Sequence, residues 1–360
     1  MGAHLARGFS EAGFDVELLV FARGGEVEQV LLDLIGDIPV HFIRSRASRF
    51  RALDLIAGLP GFVRHLRLRQ PDVIVSTANN TALISAIGRR IGWASDARLV
   101  VKTTNPIATS RHRGLARRLR LWSYRQVFEG TDAVWTLSDE ESAEMVAEFP
   151  RNARIFRSVA QPYVTAAMIE RPAEVKKAAG PVVLSIARLT RQKRVDRLLR
   201  AFAHVQTENA RLVILGEGED RESLTALARD LGLGERVSMP GYTPDVSRAL
   251  HEADLFVLTS DYEGLPAAVL EAMAANCPVL STNCFPSASS LIGGTEGCQI
   301  IESTKPEALA AQIDLMLKRA RPTRLVDKAS HYSVANGAAE HVEALHDVLS
   351  LRKPKALCLD

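Results

Sequence analysis

Cysteine is scarce in this 360-residue sequence. Its four cysteines, Cys277, Cys284, Cys298 and Cys358, show no paired spacing of the metal-ligand type. A disulfide framework or zinc finger therefore finds no support, and a reducing compartment is the simpler setting. Long apolar runs are also missing. None approaches the roughly 20 residues that a membrane span needs, and no signal peptide opens the chain. The expectation is a soluble, cytoplasmic protein, with peripheral attachment to the inner face of the cytoplasmic membrane as its one extension. Aromatics make up only 6% and accompany no recognised binding motif, which argues against a nucleic-acid partner. What is present in quantity is apolar residue, 47%, against a net charge of +3, enough to bury a large core in two domains.

The most informative stretch runs Thr259-Ser260-Asp261-Tyr262-Glu263-Gly264-Leu265-Pro266-Ala267-Ala268-Val269-Leu270-Glu271-Ala272. The apolar run Ala253 to Leu258 predicts a buried parallel strand before it. Pro266 suits the first turn of a helix, Asn276 a left-handed stop, and Pro278 to Ser281 the next strand. In open parallel sheets ligands bind beyond the carboxyl ends of the strands, where Glu263 falls, and a helix N-terminus there favours an anion. Glu263 in the loop and Glu271 in the second helical turn could both reach one polar ligand. Taken alone, the stretch equally fits two solvated glutamates on an ordinary helix.

The first half alternates strands and helices. The chain opens inside a helix, Gly2 to Ala12, ended by Gly13 and followed by a strand, Val16 to Phe21. A doubly wound domain normally starts one strand and one Gly-rich turn earlier, so the expectation is that this piece lies upstream of an internal Met. A sheet without it would carry two unpaired edges. Helices are predicted near Glu26 to Ile35, Phe50 to Leu68, from the capping Asn79-Asn80-Thr81 to Ile91, and through Leu115 to Phe128. Strands are predicted near Ile38 to Ile43 and over Asp72 to Ser76, Ala97 to Lys102 and Asp132 to Leu137. Such alternation predicts a mainly parallel sheet covered on both faces. Basic residues crowd between Arg44 and Arg125, where Asp54, Asp72 and Asp96 are the only acids. Within it Arg111, Arg113, Arg117, Arg118, Arg120 and Arg125 alternate with Leu115, Leu119, Leu121 and Trp122. This is either an amphipathic basic helix for an anionic membrane surface or lipid-linked acceptor, or a solvated arginine-rich face.

Between Val159 and Pro181 the pattern lapses, which marks an interdomain linker. A second α/β run begins with the strand Val182 to Ala187. Directly after it come Arg188, Arg191, Lys193 and Arg194, then a helix, Val195 to His204. Cations at a helix N-terminus oppose its dipole unless an anion sits between them, and a phosphate would resolve that conflict. Strands at Arg211 to Leu215 and Val237 to Tyr242 follow, with Gly216-Glu217-Gly218 allowing a tight turn. Helices are predicted through Leu224 to Leu231 and over Asp245 to Ala253.

Taken together and in order, Ala187-Arg188-Leu189 with Lys193, Leu215-Gly216-Glu217-Gly218, Pro240-Gly241-Tyr242, and Glu263-Gly264-Leu265-Pro266 through Leu270-Glu271-Ala272-Met273-Ala274 carry a resemblance. Residues 182 to about 320 resemble the nucleotide-binding domain of the group 1, or family 4, retaining glycosyltransferases, which are built from two facing Rossmann-like domains, the GT-B fold. The first half resembles their acceptor domain more loosely. The resemblance implies an α/β fold with an acceptor-binding domain over residues 1–160, lacking its first strand and rejoined by a C-terminal helix within 335–352. It implies a nucleotide-sugar-binding domain over 178–330.

The resemblance also implies roles. Arg188 and Lys193 would hold the diphosphate of the donor, Glu271 the ribose hydroxyls and Glu263 the donor sugar. The N–H groups of Gly264 and Leu265 would meet phosphate or sugar, and residues around Gly241 and Tyr242 would flank the base. The implied reaction is sugar transfer from a nucleotide-diphosphate sugar, a UDP-sugar before a GDP-sugar, to a glycan or lipid-linked hydroxyl, with no separate cofactor. Asp-x-Asp is absent, so no metal bridge is implied. The chain departs from the family where relatives often carry Gly, at Ala187 and Arg194, and where they carry His, in the loop after Val101-Lys102-Thr103-Thr104-Asn105. The loop Asn283 to Ser290 also lacks the usual Gly and Glu. These departures keep a second expectation open, a nucleotide-sugar-binding pseudoenzyme that assists another transferase, with an epimerase or phosphorylase as a third.

Overall fold

A computed structural model of the chain describes residues 1–21, 23, 28–44, 51–77, 79–90, 96–105, 107, 114–172, 179–243 and 245–351. They divide into two compact units, 1–162 with 335–360 and 163–334. In the first unit α1 (Gly2–Glu11), β1 (Leu18–Val20), α2 (Glu28–Ile35), β2 (Val40–Phe42), α3 (Arg51–Arg69), β3 (Val73–Ser76) and α4 (Asn79–Arg90) follow the predicted alternation. So do β4 (Arg98–Lys102), α5 (Gly114–Glu129) and β5 (Ala133–Thr136). Two elements of this unit escaped the sequence reading, α6 (Asp139–Glu148) and β6 (Phe156–Ser158). Yet α6 has a legible start: Ser138 accepts from the Glu141 N–H, three residues on, and three acids fill the first turn.

The strands of this unit form two parallel pieces, β1–β2 and β3–β4–β5–β6. No described strand pairs with the second edge of β1 or of β3. β4 is buried along its whole length.

The second unit holds α7 (Ala166–Ile169), β7 (Val182–Ile186), α8 (Val195–Phe202), β8 (Arg211–Leu215), α9 (Arg221–Asp230), β9 (Val237–Gly241), α10 (Val246–Glu252) and β10 (Leu255–Leu258). It continues through α11 (Ala267–Ala274), β11 (Val279–Thr282), α12 (Ala288–Leu291), β12 (Cys298–Ile301), α13 (Pro306–Leu317) and α14 (Leu325–Ala329). Of these, α7, α12, β12, α13 and α14 also escaped the sequence reading. All six strands are parallel in the order β12-β11-β10-β7-β8-β9. The chain therefore builds outward from β7 to β9, returns, and builds the other way from β10. The reversal falls between β7 and β10, which is where open α/β sheets bind ligands. Runs such as Leu255–Leu258 and Val279–Thr282 are buried at every position, because helices cover both faces of a parallel sheet. Asn276 takes the left-handed conformation, φ 51°, that stops α11.

A parallel bridge between Val164 and Ser333 brings the entry and exit of the second unit together. α15 (Val334–Ser350) follows and packs Ala344, Leu345 and Val348 against Leu5 and Phe9 of α1 and Trp135 of β5 in the first unit. Polar groups also enter this core: the Ala160 N–H donates to Glu340 at 2.8 Å, and His341 Nδ1 lies 2.6 Å from the Gly337 carbonyl while its Nε2 is buried without a hydrogen-bond partner among the described residues.

Candidate active site

The carboxyl ends of β7 and β10 are continued by two loops, 187–194 and 259–266, that are tied together by hydrogen bonds. The Asp261 N–H donates to the Gln192 carbonyl at 2.9 Å, and Gln192 Nε2 returns a bond to the Tyr262 carbonyl at 2.8 Å. Thr259 Oγ1 donates to the Arg194 carbonyl at 3.0 Å, while Arg197 Nη1 reaches the Thr259 carbonyl at 2.8 Å. Arg194 sits at φ 50°, the left-handed region that favours glycine. Its side chain explains how an L-residue is held there: it donates to both Asp196 oxygens, at 3.0 and 3.1 Å, and to Asp261 Oδ1 at 3.1 Å.

At the centre of this clasp Lys193 Nζ lies 2.5 Å from Glu263 Oε1, which also accepts from Ser260 Oγ at 2.6 Å. The Glu263 side chain is only 7% exposed and that of Lys193 18%. Glu263 is therefore not a solvated surface glutamate, since a carboxylate so buried survives only when paired. The Glu263 N–H is itself anchored to the Cys284 carbonyl at 2.6 Å. Arg188, by contrast, is exposed and has no partner among the described residues. It is a cation left available to a ligand.

Glu271 falls in the second turn of α11, as the spacing predicts. It is half-buried and has no hydrogen-bond or ion-pair partner among the described residues, and burial pushes its carboxyl up to about 7. Pro266 caps α11 rather than entering its first turn. Gly264 and Leu265 are buried, and their N–H groups have no acceptor among the described residues. Such free donors at a helix start suit an anion or a sugar hydroxyl.

The Gly216-Glu217-Gly218 turn has a steric task. A Cβ on Gly216, at φ 132°, would lie 2.0 Å from the Ala187 carbonyl oxygen, and one on Gly218 would lie 2.2 Å from that of Leu189. These glycines let the turn after β8 close against the Arg188 loop, and so help set its shape. Gly241, at φ 98°, accepts through its carbonyl from the Gly216 N–H at 2.8 Å. Tyr242 beside it is 60% exposed, a free ring at the edge of the same sheet end.

In the first unit the end of β4 carries Lys102. Lys102 is fully buried, bonded to Gln161 Oε1, and burial lowers its amine to about 7. Beside it Glu141 is held by Thr103 Oγ1 at 2.9 Å and the Leu137 N–H at 2.7 Å. The sequence reading assigned Lys102 only to a strand end, because burial of a lysine has no linear signal. Asn79 and Asn80 side chains, Arg111, Arg113 and the Lys176-Lys177-Ala178 stretch lie outside what is described.

Two family models match consecutive parts of the sequence: "Glycosyl transferase 4-like domain" over residues 3–157 and "Glycosyl transferases group 1" over 168–332. The chain belongs to the group 1 glycosyltransferases. Among relatives of this family, it is 27% identical to the lipopolysaccharide core biosynthesis glycosyltransferase LpsE of Rhizobium meliloti, over 86% of this chain and 85% of that one. It is 29% identical to an uncharacterized glycosyltransferase of Haemophilus influenzae, over 52% of each, so the match spans about half that relative's length. The fold is that of Anabaena HepE in complex with UDP, with a TM-score of 0.75 at 18% identity over 96% of both chains.

Proposed function

We propose that this group 1 glycosyltransferase moves a sugar, with retention of configuration, from a nucleotide-diphosphate sugar to a hydroxyl of a glycan or lipid-linked acceptor in cell-surface polysaccharide or glycolipid synthesis. The observation that carries the proposal is the convergence at one switch point of a free Arg188, the buried Lys193–Glu263 pair and a partnerless Glu271. In this reading Arg188 and Lys193 face the diphosphate and offset the charge that grows on it as the glycosidic bond to phosphate breaks. Glu271 accepts from ribose hydroxyls, which explains a buried carboxylate with no partner of its own. Glu263, oriented by Lys193 and Ser260, accepts from the donor sugar, and Gly241 and Tyr242 border the base. A UDP-sugar is favoured over a GDP-sugar by the fold shared with a UDP complex.

A lipid-linked acceptor or an anionic membrane surface is supported by α5. Its inner face buries Leu121, Tyr124, Val127 and Phe128, yet Leu115, Leu119 and Trp122 are 70, 58 and 61% exposed on a second stripe bordered by Arg118 and Arg125. An exposed apolar stripe with arginines beside it fits a headgroup boundary. Among the described residues no helix is long and apolar enough to cross a membrane.

Release of nucleoside diphosphate from UDP- and GDP-sugars, with and without a lipid-linked glycan, tests the assignment. Turnover of one donor, with Arg188→Ala weakening donor binding without lowering thermal stability, is the expected result. Binding without turnover would instead favour the non-catalytic partner role.

A further inference from the structure

Away from the proposed donor site, the first unit gathers two histidines and a glutamate that no linear spacing announces. Glu17 immediately precedes β1, and His41 stands in β2 in register with Leu19. Side chains two apart share a face of a strand, so Glu17, Leu19 and Phe21 look the same way as His41 and Ile43. α3 covers that face, packing Phe62 and Leu66 against Leu19, Phe21 and Ile43. It approaches closely because Gly58 and Gly61 face the strands: a Cβ on either would come within 2.8 Å of Phe21 or 2.7 Å of Ile43. One turn past Gly61, on the same face, comes His65, and one turn further Arg69.

The result is a cluster in which one ligand atom each from Glu17, His41 and His65 lie within 4.8 Å of one another. Glu17 Oε2 is 3.2 Å from His65 Nε2 and 3.6 Å from His41 Nε2, and the two imidazole rings are 4.7 Å apart between centres. Arg69 takes the other carboxylate oxygen, Oε1, and so aims Oε2 at the imidazoles. His41 Nε2 is the second observation that points to a ligand. Though the His41 side chain is 43% exposed, this nitrogen is shut off from solvent and has no hydrogen-bond partner. Both Nε2 atoms stand beside the same carboxylate oxygen, Glu17 Oε2.

We propose that Glu17, His41 and His65 form a binding site for a divalent transition-metal ion, Zn2+ by its preference for two imidazoles and a carboxylate, with water in the fourth position. Bonds of about 2.0–2.2 Å to a tetrahedral ion place ligand atoms roughly 3.3 Å apart. The pairs to Glu17 already stand near that spacing, and closing the remaining gap takes only small side-chain rotations. Arg69 then serves as the outer partner that orients a ligating carboxylate. The ion would clamp β1 and β2 to α3, in a part of the unit where two strands matched over three residue pairs alone make a marginal sheet.

The test uses the full chain, stripped with chelator and desalted, then titrated with Zn2+ against a chromophoric competitor. One tightly held equivalent is expected, accompanied by a rise in thermal stability. His41→Ala and His65→Ala should each weaken it on the order of 100-fold or more, at least the loss seen when an outer partner is removed. His204→Ala, which alters a histidine–glutamate pair in the other unit, should leave it unchanged. Co2+ added to the unaltered chain reads the ligand set without any variant: intense visible bands of a four-coordinate ion are expected. No bound equivalent, equal affinity in both cluster variants, or only the weak bands of six-coordinate hydrated Co2+ would overturn the proposal.

Discussion

Lys193→Ala separates the architecture of the site from its ligand chemistry. The ammonium lies 2.5 Å from a carboxylate only 7% exposed, whose one other side-chain partner among the described residues is Ser260 Oγ at 2.6 Å. Removing one member of a fully buried pair costs about 3–5 kcal/mol, because the other charge stays behind uncompensated. Lys193 is 18% exposed, so water can enter where it stood. We therefore take a lower figure of about 2 kcal/mol. For a unit of this size each kcal/mol shifts the midpoint by about 2–4 °C, giving a fall of about 4–8 °C without any ligand. The reverse change behaves differently. In Glu263→Ala the flexible lysine swings into solvent, and the loss should stay within about 1 kcal/mol, as for pairs that can rehydrate. Lys193→Ala combined with Glu263→Gln should recover most of the stability but none of the diphosphate affinity. Differential scanning fluorimetry of the four proteins, with and without UDP, checks this. If Lys193→Ala melts with the unaltered protein, or Glu263→Ala costs more than Lys193→Ala, the asymmetry argued from burial is wrong.

Three further expectations can be checked as simply. The Glu271 carboxyl is raised to about 7 by burial, so the stability linked to its neutral form is complete below the ordinary carboxylate range and lost as pH rises through 7. Glu271→Gln should accordingly raise the melting temperature at pH 8 and hardly change it at pH 5, and a larger gain at pH 5 would refute the sign. Gly216→Ala should destabilise by about 1–3 kcal/mol in chemical denaturation, as overpacking against fixed backbone does. Gly234→Ala, where a Cβ meets nothing within 4 Å, is the control, and equal midpoints for the two would dismiss the close approach to Ala187. Sedimentation with anionic but not neutral vesicles is expected of the whole chain and should be lost on Leu119→Ser with Trp122→Ser; no difference between vesicles would leave α5 a solvated face.

The sequence by itself determined the alternation of elements, since apolar runs such as Leu255–Leu258 and helical spacing such as that of α8 are local patterns set by backbone periodicity. It also placed Glu263 in a loop beyond a strand and Glu271 in the second turn of the next helix, and the ordered motifs disclosed the family. The start of α6 is legible in Ser138-x-x-Glu141. Other features had no linear signal. That β7 and β10 are neighbours follows from a chain reversal, so only the folded sheet brings Lys193 to Glu263, 70 positions away. Arg194 in a left-handed conformation is explained by Asp196 and Asp261, and its glycine-like place in the motif conceals that support. Whether a carboxylate is solvated, paired or stranded depends on what packs around it. Glu263, Glu271 and Glu17 are the same residue in sequence, and tertiary structure alone gave the first a lysine, the second no partner and the third two imidazoles and a guanidinium.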